Sequence, residues 1–208
     1  TKRISNFETM AGQPGNTPES QLGSISYSGF NGSNFADVRS APSLNYAYRN
    51  VALLTDMIAC PGGDFCALAN ARSLPIAEAI TQRYQDLDEL DDIGEVDLHI
   101  SGCINSCGHH HSGHIGILGV DKDGKEWYQI TLGGADGSQL SGDSQAGKVI
   151  GPSFSAAEVP DVLEAVLTTY RDLRQPGEHF IDAVRRIGLE PFKEAGKTAR
   201  HPAPAEEA

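Results

Sequence analysis

Apolar positions first fall into a pattern after Asn50. VALLTDMIA, residues 51–59, is a short apolar run that leads directly into Cys60. After Cys66, ALANARS has the composition of a helix. Ser73 is then placed to cap a helix with Pro75 in its first turn, where proline's missing N–H costs nothing. Ile76, Ala79, Ile80 and Tyr84 follow at helical spacing. The acidic stretch 86–92 reads as solvated surface. EVDLHI, 95–100, alternates polar and apolar as a strand does, and runs into Cys103. HIGILGV and EWYQITL flank DKDGK, whose Asp-Gly pair predicts a hairpin turn. Gly133 and Gly134 predict a tight turn into a Gly/Ser-rich loop over 133–147. Ser155 with Glu158 three residues on predicts a capped helix over 155–173, with Val159, Val162, Leu163, Val166, Leu167 and Tyr170 as its stripe. A last helix near 177–187 places Phe180, Ile181, Val184 and Ile187 on one side. The expected fold is α+β: a mixed or antiparallel sheet with flanking helices.

The flanks carry no such pattern. Residues 1–48 are rich in Gly, Ser and Asn and read as irregular, with a short strand allowed near Ser24–Tyr27. KTARHPAPAEEA at the end reads as disordered. The expected organisation is therefore an irregular segment 1–48, a domain 49–195 and a disordered tail 196–208. Beginning at Thr1 rather than Met, the chain is expected to be trimmed, processed or a fragment.

Composition narrows the partners. The 208 residues are 39% hydrophobic and 21% charged, ordinary for a soluble protein. A formal net charge of -12 argues against nucleic acid, which demands a basic surface. It also warns that any pocket for an anionic substrate lies off this chain. No apolar run approaches the roughly 20 residues that cross a bilayer, so no membrane partner is expected. Lys2 and Arg3 are not followed by the apolar stretch of a signal peptide. A cytoplasmic location is expected, where cysteines are free or metal-bound rather than in disulfides.

All four cysteines fall in two pairs, Cys60 and Cys66 in CPGGDFC, Cys103 and Cys107 in CINSC. A predicted helix and strand separate the pairs, so they sit on different elements that can converge. A [4Fe–4S] cube takes four thiolates from directions no single turn supplies. Gly62, Gly63, Gly102 and Gly108 beside them let backbone approach bulky sulfur and point N–H groups at it. Asn105 and Ser106 can add polar contacts within the second turn. Zinc prefers two residues between paired cysteines, a poor match to five and three.

TDMIACPGGDFCALANARSLPIAEAI and DLHISGCINSCGHHHSGHIGILGVDKDGKEWYQITLGG together resemble the C-terminal half of the sirohaem sulfite/nitrite reductase family. The family pattern is Cys-x5-Cys, then Cys-x3-Cys within a Ser/Thr-Gly-Cys-x-Asn-x-Cys-Gly block. Ser101, Gly102, Asn105 and Gly108 keep it, and GEHFIDAVRRIGLEPF fits further on. The resemblance covers residues 51–195; residues 1–48 do not share it. It implies cluster-binding loops holding one [4Fe–4S] cluster through Cys60, Cys66, Cys103 and Cys107, with Asn105 beside it. Cys107 is implied as the thiolate shared with the sirohaem iron. Domain 49–195 is then the [4Fe–4S]/sirohaem-binding C-terminal domain. Electrons enter at the cluster and cross that sulfur to sirohaem, where six of them reduce sulfite to sulfide or nitrite to ammonia. ACPGGDFCALANA, the triple histidine and the FIDAVRRIGLEPF run look most like bacterial assimilatory sulfite reductase haemoproteins, which favours sulfite. A nitrite reductase and a non-catalytic iron–sulfur module are the alternatives. The family's substrate-binding Arg and Lys come mainly from an N-terminal half absent here, so no catalytic side chain is assigned on this chain. The electron donor implied is a ferredoxin or a flavoprotein.

His109, His110, His111 and His114 follow Cys107 closely. Hydrogen bonding near the cluster or haem, or plain packing, is expected of them ahead of a separate metal site. Asp121, Asp123 and Gly124 open like a calcium loop but lack its closing Glu, so a turn is expected. Trp127 and Tyr128 are expected in the core.

Overall fold

The computed structural model of the chain describes residues 51–138 and 141–200. The strand allowed near Ser24–Tyr27, and the segment 1–48 as a whole, lie outside the described residues. The chain divides into two units, Thr1–Val51 and Ala52–Ala208, and all the described helices and strands belong to the second.

The apolar run after Asn50 ends in a two-residue strand, β1 (Ile58–Ala59), and a 3₁₀ turn over Gly62–Asp64. The segment 67–73 is not helical. Asn70 and Ala71 give their amides to the Gly102 carbonyl (2.9 and 3.0 Å), which pins this stretch to the second cysteine loop instead. Helix α1 (Leu74–Arg83) begins with Pro75 in its first turn, as expected. Ser73 makes no capping hydrogen bond, however; its buried hydroxyl lies 3.4 Å from the Cys60 sulfur. The acidic stretch read as surface is a second helix, α2 (Leu87–Ile93). Asp86 caps it by accepting the Asp88 amide, while Leu90 and Ile93 turn inward.

Strands β2 (Leu98–Ser101), β3 (Ile115–Lys122), β4 (Lys125–Leu132) and β5 (Lys148–Val149) complete a five-stranded sheet whose spatial order follows the chain. β1, β2 and β3 run parallel; β3, β4 and β5 are antiparallel. The Asp-Gly pair makes the hairpin between β3 and β4, with φ of 56° at Asp123 and 75° at Gly124. Tyr128 is buried, its hydroxyl donating to the Arg72 carbonyl at 2.8 Å, whereas Trp127 is half-buried beneath Lys122.

Helix α3 (Val159–Leu173) starts three residues later than its capping signal suggests. Ser155 gives both its amide and its hydroxyl to Glu158 (2.7 and 2.8 Å), and this closes a turn ahead of the helix. Its stripe Val159, Val162, Leu163, Val166, Leu167 and Tyr170 is buried, each side chain contributing about 1.5–3 kcal/mol of apolar transfer. α4 (Phe180–Ile187) and α5 (Glu190–Thr198) pack against α3. α5 carries helix into residues 196–198, where composition predicts disorder. Phe192, fully buried, and Gly196 anchor it.

The connection from β2 to β3 is the unusual one. A parallel partner must be entered from the same end as its neighbour, so a chain leaving β2 has to travel back before starting β3. Helices usually make that return. Here the segment 102–114 makes it, carrying both cysteines of the second pair and all four clustered histidines.

Candidate functional site

The parallel pairing of β1 with β2 aligns Ala59 with Ile100. Cys60 follows directly and donates its amide to the Ile100 carbonyl at 3.0 Å. Both cysteine pairs therefore leave the same end of two adjacent strands. Cys103 is buried, Cys60 and Cys66 are half-buried, and Cys107 is exposed. Asn105 is exposed on the same turn, next to Ile104, which is 82% exposed. Phe65 and Leu68 on the first loop are 79% and 73% exposed.

The loops close on each other with no room to spare. A Cβ at Gly102 would stand 2.6 Å from the Ala71 carbonyl oxygen and 2.8 Å from Gly62 Cα. Gly62 itself sits at φ 62°, against the Ser73 backbone. This closeness lets the Gly102 amide donate to the Cys60 sulfur at 3.1 Å. The Cys66 amide is held by the Gly62 carbonyl at 2.9 Å.

Across the returning segment the histidines divide. Ser106 Oγ bridges Nδ1 of His110 (3.0 Å) and Nδ1 of His111 (2.8 Å). His109 is exposed, with φ 55°. His114 is fully buried: Nδ1 accepts the Asp97 amide at 3.2 Å and Nε2 faces Ser141 Oγ at 2.9 Å. With Nδ1 an acceptor the ring is neutral, and burial holds its pKa below the usual value.

Two residues that the sequence pattern does not single out complete the set. His99, buried in β2, points Nδ1 at the His109 carbonyl (2.9 Å) and Nε2 at Asp97 Oδ1 (2.8 Å). Both partners are acceptors while Asp97 is ionised, so the geometry favours the doubly protonated, charged ring. Burial opposes that charge, but the Asp97 carboxylate and the His109 carbonyl outweigh it and raise its pKa. The polar positions of EVDLHI were the available signal, since a polar residue within a strand requires a partner once covered.

Residues 51–201 match the family described as Nitrite and sulphite reductase 4Fe-4S domain. The chain belongs to that family. Among relatives are the proteins called sulfite reductase [NADPH] hemoprotein beta-component of Bacillus velezensis, 32% identical over 143 residues, and of Methylorubrum populi, 35% identical over 146. Each alignment takes in 66% of this chain but only 23% and 22% of the relative, so the chain spans less than a quarter of these proteins. Two solved structures share the fold. Mycobacterium tuberculosis NirA superposes at a TM-score of 0.54 with 24% identity, over 65% of this chain and 26% of that one. Dissimilatory sulfite reductase I superposes at 0.58 with 15% identity, over 79% and 60%. The fold class is α+β with a mixed sheet, as the patterning implied.

The residues present fit the cluster of this family. Among the described residues, no three His, Cys, Asp or Glu side chains gather closely enough to hold a single metal ion. A cube makes a different demand, one thiolate on each of four irons, spread around a larger body. Four cysteines on two loops at one end of the sheet suit that demand, with an amide already directed at one sulfur. Among the described residues no helix is long and apolar enough to cross a membrane.

Proposed function

We propose that this chain is the cluster- and sirohaem-binding portion of a sulfite reductase, with Cys60, Cys66, Cys103 and Cys107 as the cluster ligands. The observation that carries the reading is the parallel register of β1 and β2, which sends both cysteine pairs out of one sheet end. When bound, the cluster and sirohaem would relay the electrons, drawn from the external donor, that reduce sulfite to sulfide. This chain's own residues orient and insulate that transfer. The Gly102 amide and the Ser73 hydroxyl lie against the Cys60 sulfur, where they disperse negative charge on a thiolate. Cys103 sits away from water, and Cys107 is exposed, where it would be accessible to sirohaem as well as to the cluster. Phe65, Leu68 and Ile104 surround the loops with apolar surface for the N-terminal half of the enzyme to cover. That half supplies the basic residues for the anionic substrate, in keeping with the charge of -12 here.

Sulfite is favoured over nitrite by the relatives' names, and NADPH in those names favours a flavoprotein donor over ferredoxin. Such an enzyme works in the cytoplasm. The test has two stages. Anaerobically purified chain should be brown, hold about four irons and four sulfides, and bleach with dithionite; a colourless protein with stoichiometric zinc refutes the cluster. Co-expressed with the rest of the enzyme, it should develop sirohaem bands and turn over sulfite faster than nitrite. Cys107→Ser should then abolish magnetic coupling between haem and cluster; unchanged activity refutes the shared sulfur.

A further inference from the structure

The returning segment is tied to the strand beneath it at three descending points. Ser101 Oγ accepts the Gly108 amide at 3.1 Å. His99 Nδ1 donates to the His109 carbonyl at 2.9 Å. The Asp97 amide donates to His114 at 3.2 Å. Asp97, just ahead of β2, alternates with His99 and Ser101 on one face, while Leu98 and Ile100 on the other face enter the core. A face that would otherwise meet water is thus a track on which the second cysteine loop is laid.

His99 is the middle tether, and Asp97 holds its ring from the far side. The His109 carbonyl also accepts the amide and hydroxyl of Ser112 (2.9 and 3.0 Å), but those bonds are internal to the loop and fix only its own turn. His109 lies two residues after Cys107 and adopts φ 55°, a left-handed conformation that is uncommon for a side-chain-bearing residue. Asp97 sets the arrangement with two different groups. Its carboxylate fixes the His99 ring, and its amide makes His114 a neutral acceptor.

We infer that His99, held by Asp97, is a positioning residue that fixes the Cys107 turn over the sheet and so sets the environment of the fourth cluster sulfur. This rests on the proposal that the four cysteines hold a cluster. It requires no contact between His99 and the cluster.

The two amide replacements separate a tether from a filler. Asn places its N–H₂ near the position of histidine Nδ1, so His99→Asn keeps the bond to the His109 carbonyl. Gln places its N–H₂ near Nε2, so His99→Gln reaches Asp97 but releases the loop. In the full 208-residue chain carrying its cluster, H99Q should release iron to a chelator about 10-fold faster, the scale seen for lost supporting partners of metal ligands. It should also shift the electron paramagnetic resonance spectrum of the reduced cluster. Amide hydrogen exchange should rise within residues 103–112 and stay unchanged in β3 and β4. H99N should match the parent in all three.

H99Q behaving as the parent overturns the inference, and so does equal impairment of H99N and H99Q, which marks His99 as packing alone. Should H99Q fail to reach the parent circular dichroism spectrum, Asp97→Ala takes its place. It removes the acceptor at Nε2 while keeping the backbone amide that His114 accepts, so it frees the ring without removing it and should show the same loop-confined exchange, whereas a D97A loop protected as in the parent overturns the inference. A parent chain that takes up no cluster ends the cluster reading separately, and exchange at 103–112 still decides the role of His99.

Discussion

Gly102 is the residue on which the two cysteine loops meet. Its missing side chain admits the Ala71 carbonyl and Gly62, and its amide reaches the Cys60 sulfur. Gly102→Ala forces backbone apart on both sides, so we expect a loss of about 1–3 kcal/mol and a cluster content well below the parent's, read by urea unfolding and iron assay. The sequence shows glycines beside cysteines and leads one to expect room for inorganic sulfur. What it does not reveal is that the room at Gly102 is taken by the other loop. His99 and Asp97 were harder still to read. Alternation in a strand assigns polar positions to water, and only the backward run of 102–114 over β2 converts them into tethers. Ser73 misled for a related reason: a good capping residue was diverted to a sulfur 13 positions earlier in the chain.

Elements with long, regular stripes were legible, and short or acidic ones were not. The stripe of α3 predicts its buried face residue by residue, and Leu163→Ala should cost about 2–5 kcal/mol in denaturant unfolding, by transfer and cavity together. α2 was hidden because five of the seven residues 86–92 are Asp or Glu, while only Leu90 and Ile93 are fully buried on it. At the other end of α3, Glu178 gathers the turn that leads into α4. It accepts from Arg186 and from the Gln175 amide, and these hold its pKa at about 2 against an ordinary 4.5. A depressed carboxylate stabilises the fold above its unfolded pKa and loses that contribution as pH falls through the folded one. Stability should therefore decline as pH falls from 4.5 towards 2, and Glu178→Gln should flatten that part of the curve in urea titrations at successive pH values.

The described residues build one hydrophobic core, and the end of the sheet that carries the cysteines keeps apolar side chains at its surface. Phe65, Leu68 and Ile104 stand exposed beside the cysteines, and the relatives are more than four times as long as the matched region. Replacing Phe65 and Ile104 with Ser should lower binding of a hydrophobic dye to the isolated chain and, on the proposed function, weaken its assembly with the N-terminal half. The parallel register that brings Cys60 and Cys103 side by side has a last consequence, best put in polymer terms. A cluster held by both pairs cross-links the chain across roughly forty residues. For a covalent link, closing a loop of that length removes about 4 kcal/mol of freedom from the unfolded ensemble. On this view the iron is also a staple. Stripping it with a chelator should lower the melting temperature in calorimetry, even though α1, α2 and β2, which the staple encloses, keep every apolar contact they had.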